Sequence, residues 1–254
     1  MKQILLLLGF LIFLHPADGQ YRYGNNSYQK KRFSFSFNLG VGIPMQDFAK
    51  GGHPDSTHAV GYANPGFHFE VCISYLFLDY VGVAATLDNS LCPLNTGAYA
   101  SAYNVPDSFS VSAQGNHYIA SYLIGPYLNL PVNNKFNIEI KALGGLVSAT
   151  YPDITIQPND FNNPTFQEFK YAHAQNFGYM LSACGKFMVQ QNLALTATVS
   201  YTSSQIVYPG GVFEVTTPPI LQSLTPRTYT GFSFTNMDMQ LGLLSFTVGA
   251  ALCF

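Results

Sequence analysis

The stretch "RFSFSFNLGVGIP", residues 32–44, decides how the chain is read. Phe33, Phe35, Phe37, Leu39, Val41 and Ile43 hold alternate places. Ser34, Ser36, Asn38, Gly40 and Gly42 fill the gaps. A side-chain period of two is that of a β-strand, so the segment has one greasy face and one small, polar face. What each face meets depends on the solvent.

Composition narrows the choice. The chain has 254 residues, 48% hydrophobic and 15% aromatic, with no Trp. Only 9% of residues are charged, against about 25% in an ordinary soluble domain. Such a shortage implies an outer surface that avoids water. A net charge of −2 offers no electrostatic reason to expect nucleic acid as a partner.

The first residues read as an export signal. Lys2 supplies the positive start, Ile4 to Leu14 the apolar run, and Ala17-Asp18-Gly19 the small residues of a cleavage site. Residues 1–19 are therefore expected to be removed, with residues 20–32, "QYRYGNNSYQKKR", as a solvated periplasmic lead-in. The run is too short to span a bilayer as a retained anchor, and no cysteine near it directs lipid attachment. Beyond it, the most apolar segment, Leu241 to Phe254, is interrupted by Ser245 and Thr247 and falls short of a membrane helix. An exported, apolar chain without such helices leaves closed β-barrels as the structure that satisfies its backbone inside lipid.

Seven further stretches repeat the opening alternation. They are 65–77, 80–88, 117–131, 136–148, 175–187, 193–201 and 244–254. Each is close to the 9 to 11 residues a tilted strand needs to cross lipid. Short links at 76–79, 131–135 and 188–192 alternate with long, Pro-, Asn- and Gly-rich ones at 44–64, 88–116, 150–172 and 202–243. That is the layout of an antiparallel up-and-down barrel with short periplasmic turns and long extracellular loops. Residues 33–254 are expected to form it, as one domain. One place resists: Met237, Met239, Leu241 and Leu243 have the opposite parity to Phe246 through Phe254. A bulge or turn near Leu244, or extra strands in the last long link, would accommodate this, so ten strands stay open beside eight.

The faces are assigned by their charges. No Asp, Glu, Lys or Arg falls on the apolar parity within the regular strands, whereas Glu70, Glu139, Lys141 and Lys186 fall on the other. A Lys or Arg on a lipid face costs about 2–4 kcal/mol at mid-depth. The apolar face therefore meets lipid, and the polar face lines a lumen. Tyr75, Tyr201, Phe136, Phe187 and Phe254 lie at or near strand ends, as interfacial girdles do.

With this signal, these strands and the ending "SFTVGAALCF", the chain resembles the small outer-membrane β-barrel proteins of Gram-negative bacteria, the OmpX/OmpA-type and "porin family" barrels. The resemblance implies residence in the outer membrane, contact with its lipid, and insertion by the barrel-assembly machinery. That machinery would read Val248, Leu252 and the terminal Phe254. Cys253 departs from the commonest pattern, but an inward cysteine is tolerable.

Site chemistry is sparse. Glu139 and Lys186 are expected to pair near the short-turn rim, with Lys141 reaching Glu70 across the lumen, as a salt-bridge network plugging a narrow barrel. His53, His58, His117, His173 and Asp55 could meet above the barrel around a metal, but their spacing is no ligand motif, and solvated loop histidines are the default. No Ser/His/carboxylate arrangement is visible, and lumen polarity accounts for His68 beside Glu70. Cys72, Cys184 and Cys253 share the lumen parity, Cys92 falls in a loop, and all four are expected as free thiols. No cofactor is implied. The leading expectation is a non-enzymatic structural or surface-interaction barrel whose loops face an extracellular ligand or protein. A porin-like conduit for a small solute or apolar ligand comes next, then a barrel-embedded lipid-modifying enzyme. A soluble lipocalin-like binder is the outsider.

Overall fold

The computed structural model describes residues 31–52, 60–158, 166–170, 173–208, 212–216, 228–233 and 237–254. The expected signal at 1–19 and all of the lead-in except Lys31 and Arg32 lie outside them, as do His53, Asp55 and His58.

Eight strands close a barrel. They are β1 (Phe33–Gln46), β2 (Gly66–Leu76), β3 (Val81–Cys92), β5 (His117–Pro131), β6 (Phe136–Thr150), β9 (Ala174–Met188), β10 (Leu193–Tyr208) and β13 (Met237–Cys253). Each pairs antiparallel with its neighbours in the ring, and β13 returns to β1. At that seam Phe33 and Phe254 exchange backbone hydrogen bonds of 3.1 and 2.8 Å. Registered partners followed once around the ring from Met45 pass through Gly242, Ser203, Tyr179, Gly144, Ile124, Ala85 and Ile73. They return at Phe35, ten residues down the same strand. A stagger of this size tilts eight strands by about 40° to the axis.

Along β1, Phe35, Phe37, Leu39 and Val41 stand exposed while Ser36, Asn38 and Gly42 are buried. The other wall strands repeat this. Ile124, Leu146, Phe177, Leu195 and Val248 are exposed and form an apolar outer belt. Three short turns, at residues 77–80, 132–135 and 189–192, close one rim. In the second, Asn133 Oδ1 accepts the amides of Lys135 and Phe136, both at 2.9 Å.

The structure departs from the sequence expectations above the opposite rim. β13 has no bulge near Leu244 that reverses parity. β13 stays in unbroken register with β10 from Met237 to Leu252 and with β1 from Leu241 to Cys253. Met239, Leu241 and Leu243 point inward and are buried. The pattern reverses because the barrel contents change from polar to apolar, not because the strand kinks. β3 and β10 also run four and seven residues past their expected ends at Asp88 and Tyr201, to Cys92 and Tyr208. The ring has eight strands, not ten.

The described parts of the long links also hold regular structure. Five strands within them form a second sheet. They are β4 (Phe109–Gln114), β7 (Asp153–Pro158), β8 (Phe166–Lys170), β11 (Val212–Thr216) and β12 (Thr228–Ser233), ordered β12-β11-β8-β7-β4. That order repeats the order of the barrel strands they extend. A short helix, α1 (Thr96–Ala102), is capped by the Asn95 side chain, which accepts the Ala98 amide at 3.0 Å.

Glycine is required at the seam. A Cβ on Gly40, in β1, would run into the Phe246 carbonyl oxygen of β13. Gly40→Val is therefore expected to prevent closure. On unheated SDS gels the wild type should migrate as a compact band and the variant only at its heat-denatured position.

Candidate functional site: a filled lumen

The inward parity builds the interior in layers. Near the short-turn rim, Lys186 Nζ pairs with the Glu139 carboxylate and donates to Ser34 Oγ at 3.0 Å. Tyr127 donates its hydroxyl to Glu139 Oε1 at 3.0 Å. In the next layer Lys141 Nζ lies 3.6 Å from Glu70 Oε1 and 3.3 Å from Cys72 Sγ. Asn38 Nδ2 donates to Glu70 Oε1 at 2.9 Å, and the Thr196 hydroxyl donates to Asn38 Oδ1 at 2.5 Å. All four of the charged residues singled out above are thus in the lumen, joined as two ion pairs. Asp88 belongs with them: it is directly opposite Glu70 and is buried. Its signal was the parity it shares with Ala84 and Thr86, hidden because Asp88 looked like the start of a loop.

One strand-pair cell higher, His68 Nδ1 lies 2.6 Å from Ser90 Oγ and 3.4 Å from Ser245 Oγ. With Glu70 and Asp88 adjacent in the ladder, a serine, a histidine and carboxylates do converge, contrary to the sequence expectation. They converge inside the barrel, where His68 and Ser90 are each 1% exposed and closed off from both lipid and solvent.

Above it the lining turns apolar: Ile119, Val147, Met180, Ile206, Leu241 and Leu243 are all buried. The mouth is sealed by aromatic rings. Phe48, from the link after β1, sits edge-on to His117 with centroids 5.1 Å apart. His117 packs on Tyr151 at 4.5 Å, and Tyr151 on Tyr208 at 6.0 Å. Tyr62 stacks edge-to-face on Tyr99 of α1 at 5.3 Å. The Tyr151 hydroxyl donates to the Val60 carbonyl at 3.1 Å. Tyr62 has φ of 48°, an uncommon conformation for a bulky side chain. It is held there by its amide on the Lys50 carbonyl at 3.1 Å and its carbonyl on the Asn95 amide at 2.7 Å. Burial of the phenol, outside the lipid belt, pushes its pKa up to about 12.

Of the four histidines considered for a metal, only His117 and His173 fall among the described residues. His117 is a buried part of the aromatic seal rather than a solvated loop residue. His173 is exposed, 3.1 Å from Thr150 Oγ1. Among the described residues no three His, Cys, Asp or Glu groups are placed to hold a metal ion. Cys72, Cys92, Cys184 and Cys253 are all free and buried, and Cys92 ends β3 rather than lying in a loop. Val248, Leu252 and Phe254 face outward on the last strand and its end.

A closed antiparallel ring with an apolar belt outside, polar groups inside, short turns at one rim and extended loops at the other is a small outer-membrane β-barrel. Its place is the outer membrane of a Gram-negative cell. No family model matches the chain, and no curated protein matches it in sequence. Among solved structures it is similar to the attachment invasion locus protein Ail of Yersinia pestis, at 11% identity over 89% of this chain and 100% of that one, with a TM-score of 0.43. Neisserial surface protein A gives 10% identity, 87% and 97% coverage and a TM-score of 0.44. A major outer membrane protein of Thermus thermophilus gives 12%, 87%, 99% and 0.48.

Breaking one buried ion pair leaves a charge with no partner. Lys186→Met is expected to lower unfolding stability by about 3–5 kcal/mol. The double variant Lys186→Met/Glu139→Gln should recover a substantial part of that loss in urea titrations. If Lys186→Met matches wild type, the pair does not hold the lower lumen.

Proposed function

We propose that this protein is a non-enzymatic surface-interaction barrel: a rigid, plugged post that holds an extended loop sheet outside the cell. The observation that carries this reading is the double seal. Ion pairs and hydroxyls fill the inner part of the lumen, and aliphatic and aromatic side chains fill the outer part up to Phe48 and Tyr62. An eight-strand interior is just wide enough for side chains to fill. A porin-like conduit would need more width or a lateral opening, so the strand count favours the plugged reading.

The parts above the rim are built to be presented. Strands β4, β7, β8, β11 and β12 form a hydrogen-bonded sheet in the same order as the wall strands next to them in sequence, so the described parts of the loops are held to one another. Loops held by a rigid scaffold are where proteins usually place recognition. On this reading the partner is an extracellular ligand or protein, and the insertion machinery meets the outward residues Val248, Leu252 and Phe254 at the last strand.

In planar bilayers the purified barrel is expected to show no steady open level. Cells carrying a variant with residues 212–233 replaced by a short turn should insert the barrel normally but lose binding to whatever surface the wild type recognises. Stable single-channel steps from the intact wild type would contradict the reading.

A further inference from the structure

The lumen carries a charge imbalance that its own side chains do not cancel. Among the described residues, the buried carboxylates inside the barrel are Glu70, Asp88 and Glu139, and the buried ammonium groups are Lys141 and Lys186. Lys186 is committed to Glu139. Lys141 reaches Glu70 through Oε1, the oxygen that also takes the Asn38 amide. Asp88 is left over, 3% exposed, and neither of its oxygens has a hydrogen-bond partner. Glu70 Oε2 is also buried and without one.

These three oxygens are brought together by register. Glu70 on β2 and Asp88 on β3 are direct cross-strand partners, and both point inward. Side chains so placed start about 4.5–5.5 Å apart at Cβ, which lets two carboxylates share one small ion. An isolated buried carboxylate is among the costliest groups a protein can hold, so this one is held either by a positive ion or by a proton, and two carboxylates with unpartnered oxygens offer a cation its donors. The charged donors in place are carboxylate oxygens, and no three His, Cys, Asp or Glu groups among the described residues form a metal cage. Oxygen donors suit a hard cation rather than a soft transition metal.

We propose that Asp88 and Glu70 form a binding site for one hard monovalent cation, of sodium type, inside the barrel wall between β2 and β3. The ion neutralises the carboxylate that the lysines leave over, and it ties the two strands together from the lumen side. The aliphatic layer above the site separates it from the extracellular mouth, so the ion is structural rather than in transit.

The test is equilibrium unfolding of the full barrel in detergent micelles by urea. Sodium chloride is exchanged for choline chloride at constant ionic strength. A ligand bound only by the folded state stabilises it by mass action. Once sodium is well above its dissociation constant, each tenfold rise should multiply the folded-to-unfolded ratio about tenfold. Asp88→Asn, which keeps the shape and removes the charge, should flatten that dependence, as should Glu70→Gln. If either variant does not fold, the wild-type response to sodium against choline decides. A wild-type midpoint indifferent to sodium would overturn the site and point to a proton on the carboxylate pair instead. A sodium response that persists undiminished in Asp88→Asn would overturn it as well. Neither result bears on whether the barrel conducts, so the surface-interaction reading stands or falls separately.

Discussion

Inside hydrocarbon there is no water to take up an unpaired amide or carbonyl, and each one left open costs several kcal/mol. That constraint forces the sheet to close on itself. Closure then dictates the rest: a ring of eight tilted strands, a seam joining β1 to β13, and glycine at Gly40, where a Cβ would run into the backbone of β13. The lipid outside selects Phe, Leu, Val and Ile on one parity, and the narrow space inside selects groups that can satisfy one another. Both faces of the opening segment follow from this single condition.

The interior solves two problems at different depths. In its inner part the strands enclose charge, and the enclosed charges pair: Lys186 with Glu139, Lys141 with Glu70. Farther out the walls carry Leu241, Leu243, Ile206 and Val147, which fill space without needing partners. The aromatic seal of Phe48, His117, Tyr151 and Tyr208 joins the barrel to its loop structure. The wall, plug and outer sheet are thereby mechanically continuous.

Much of this could be read in the residues. Period-two alternation and the sign of each face marked the eight strands, since a greasy and a small polar parity have only one arrangement compatible with so few charges. Glu70, Glu139, Lys141 and Lys186 could be placed in the lumen for the same reason. What escaped was whatever lies where parity stops meaning "lipid outside, polar inside". Met239, Leu241 and Leu243 looked like a register break because the rule was applied above the membrane, where the interior is itself apolar. Asp88 and Cys92 were assigned to a loop, and His117 was expected to be solvated at a strand end, because strand ends carry no signal once lipid no longer selects them. The outer sheet was hidden by length: "FSVSAQ" and "DITIQP" do alternate, but six residues resemble loop composition. The meeting of His68 with Ser90 needed the β2–β3 register, which no local pattern supplies.

The central claim is the orientation of the two faces, and the absence of native tryptophan makes it directly measurable. Single tryptophans placed at Phe37 and Val248, and at Thr198, would report their surroundings by quenching from brominated acyl chains. The structure predicts strong quenching at the first two positions and little at the third. Strong quenching at Thr198 with none at Phe37 and Val248 would contradict it.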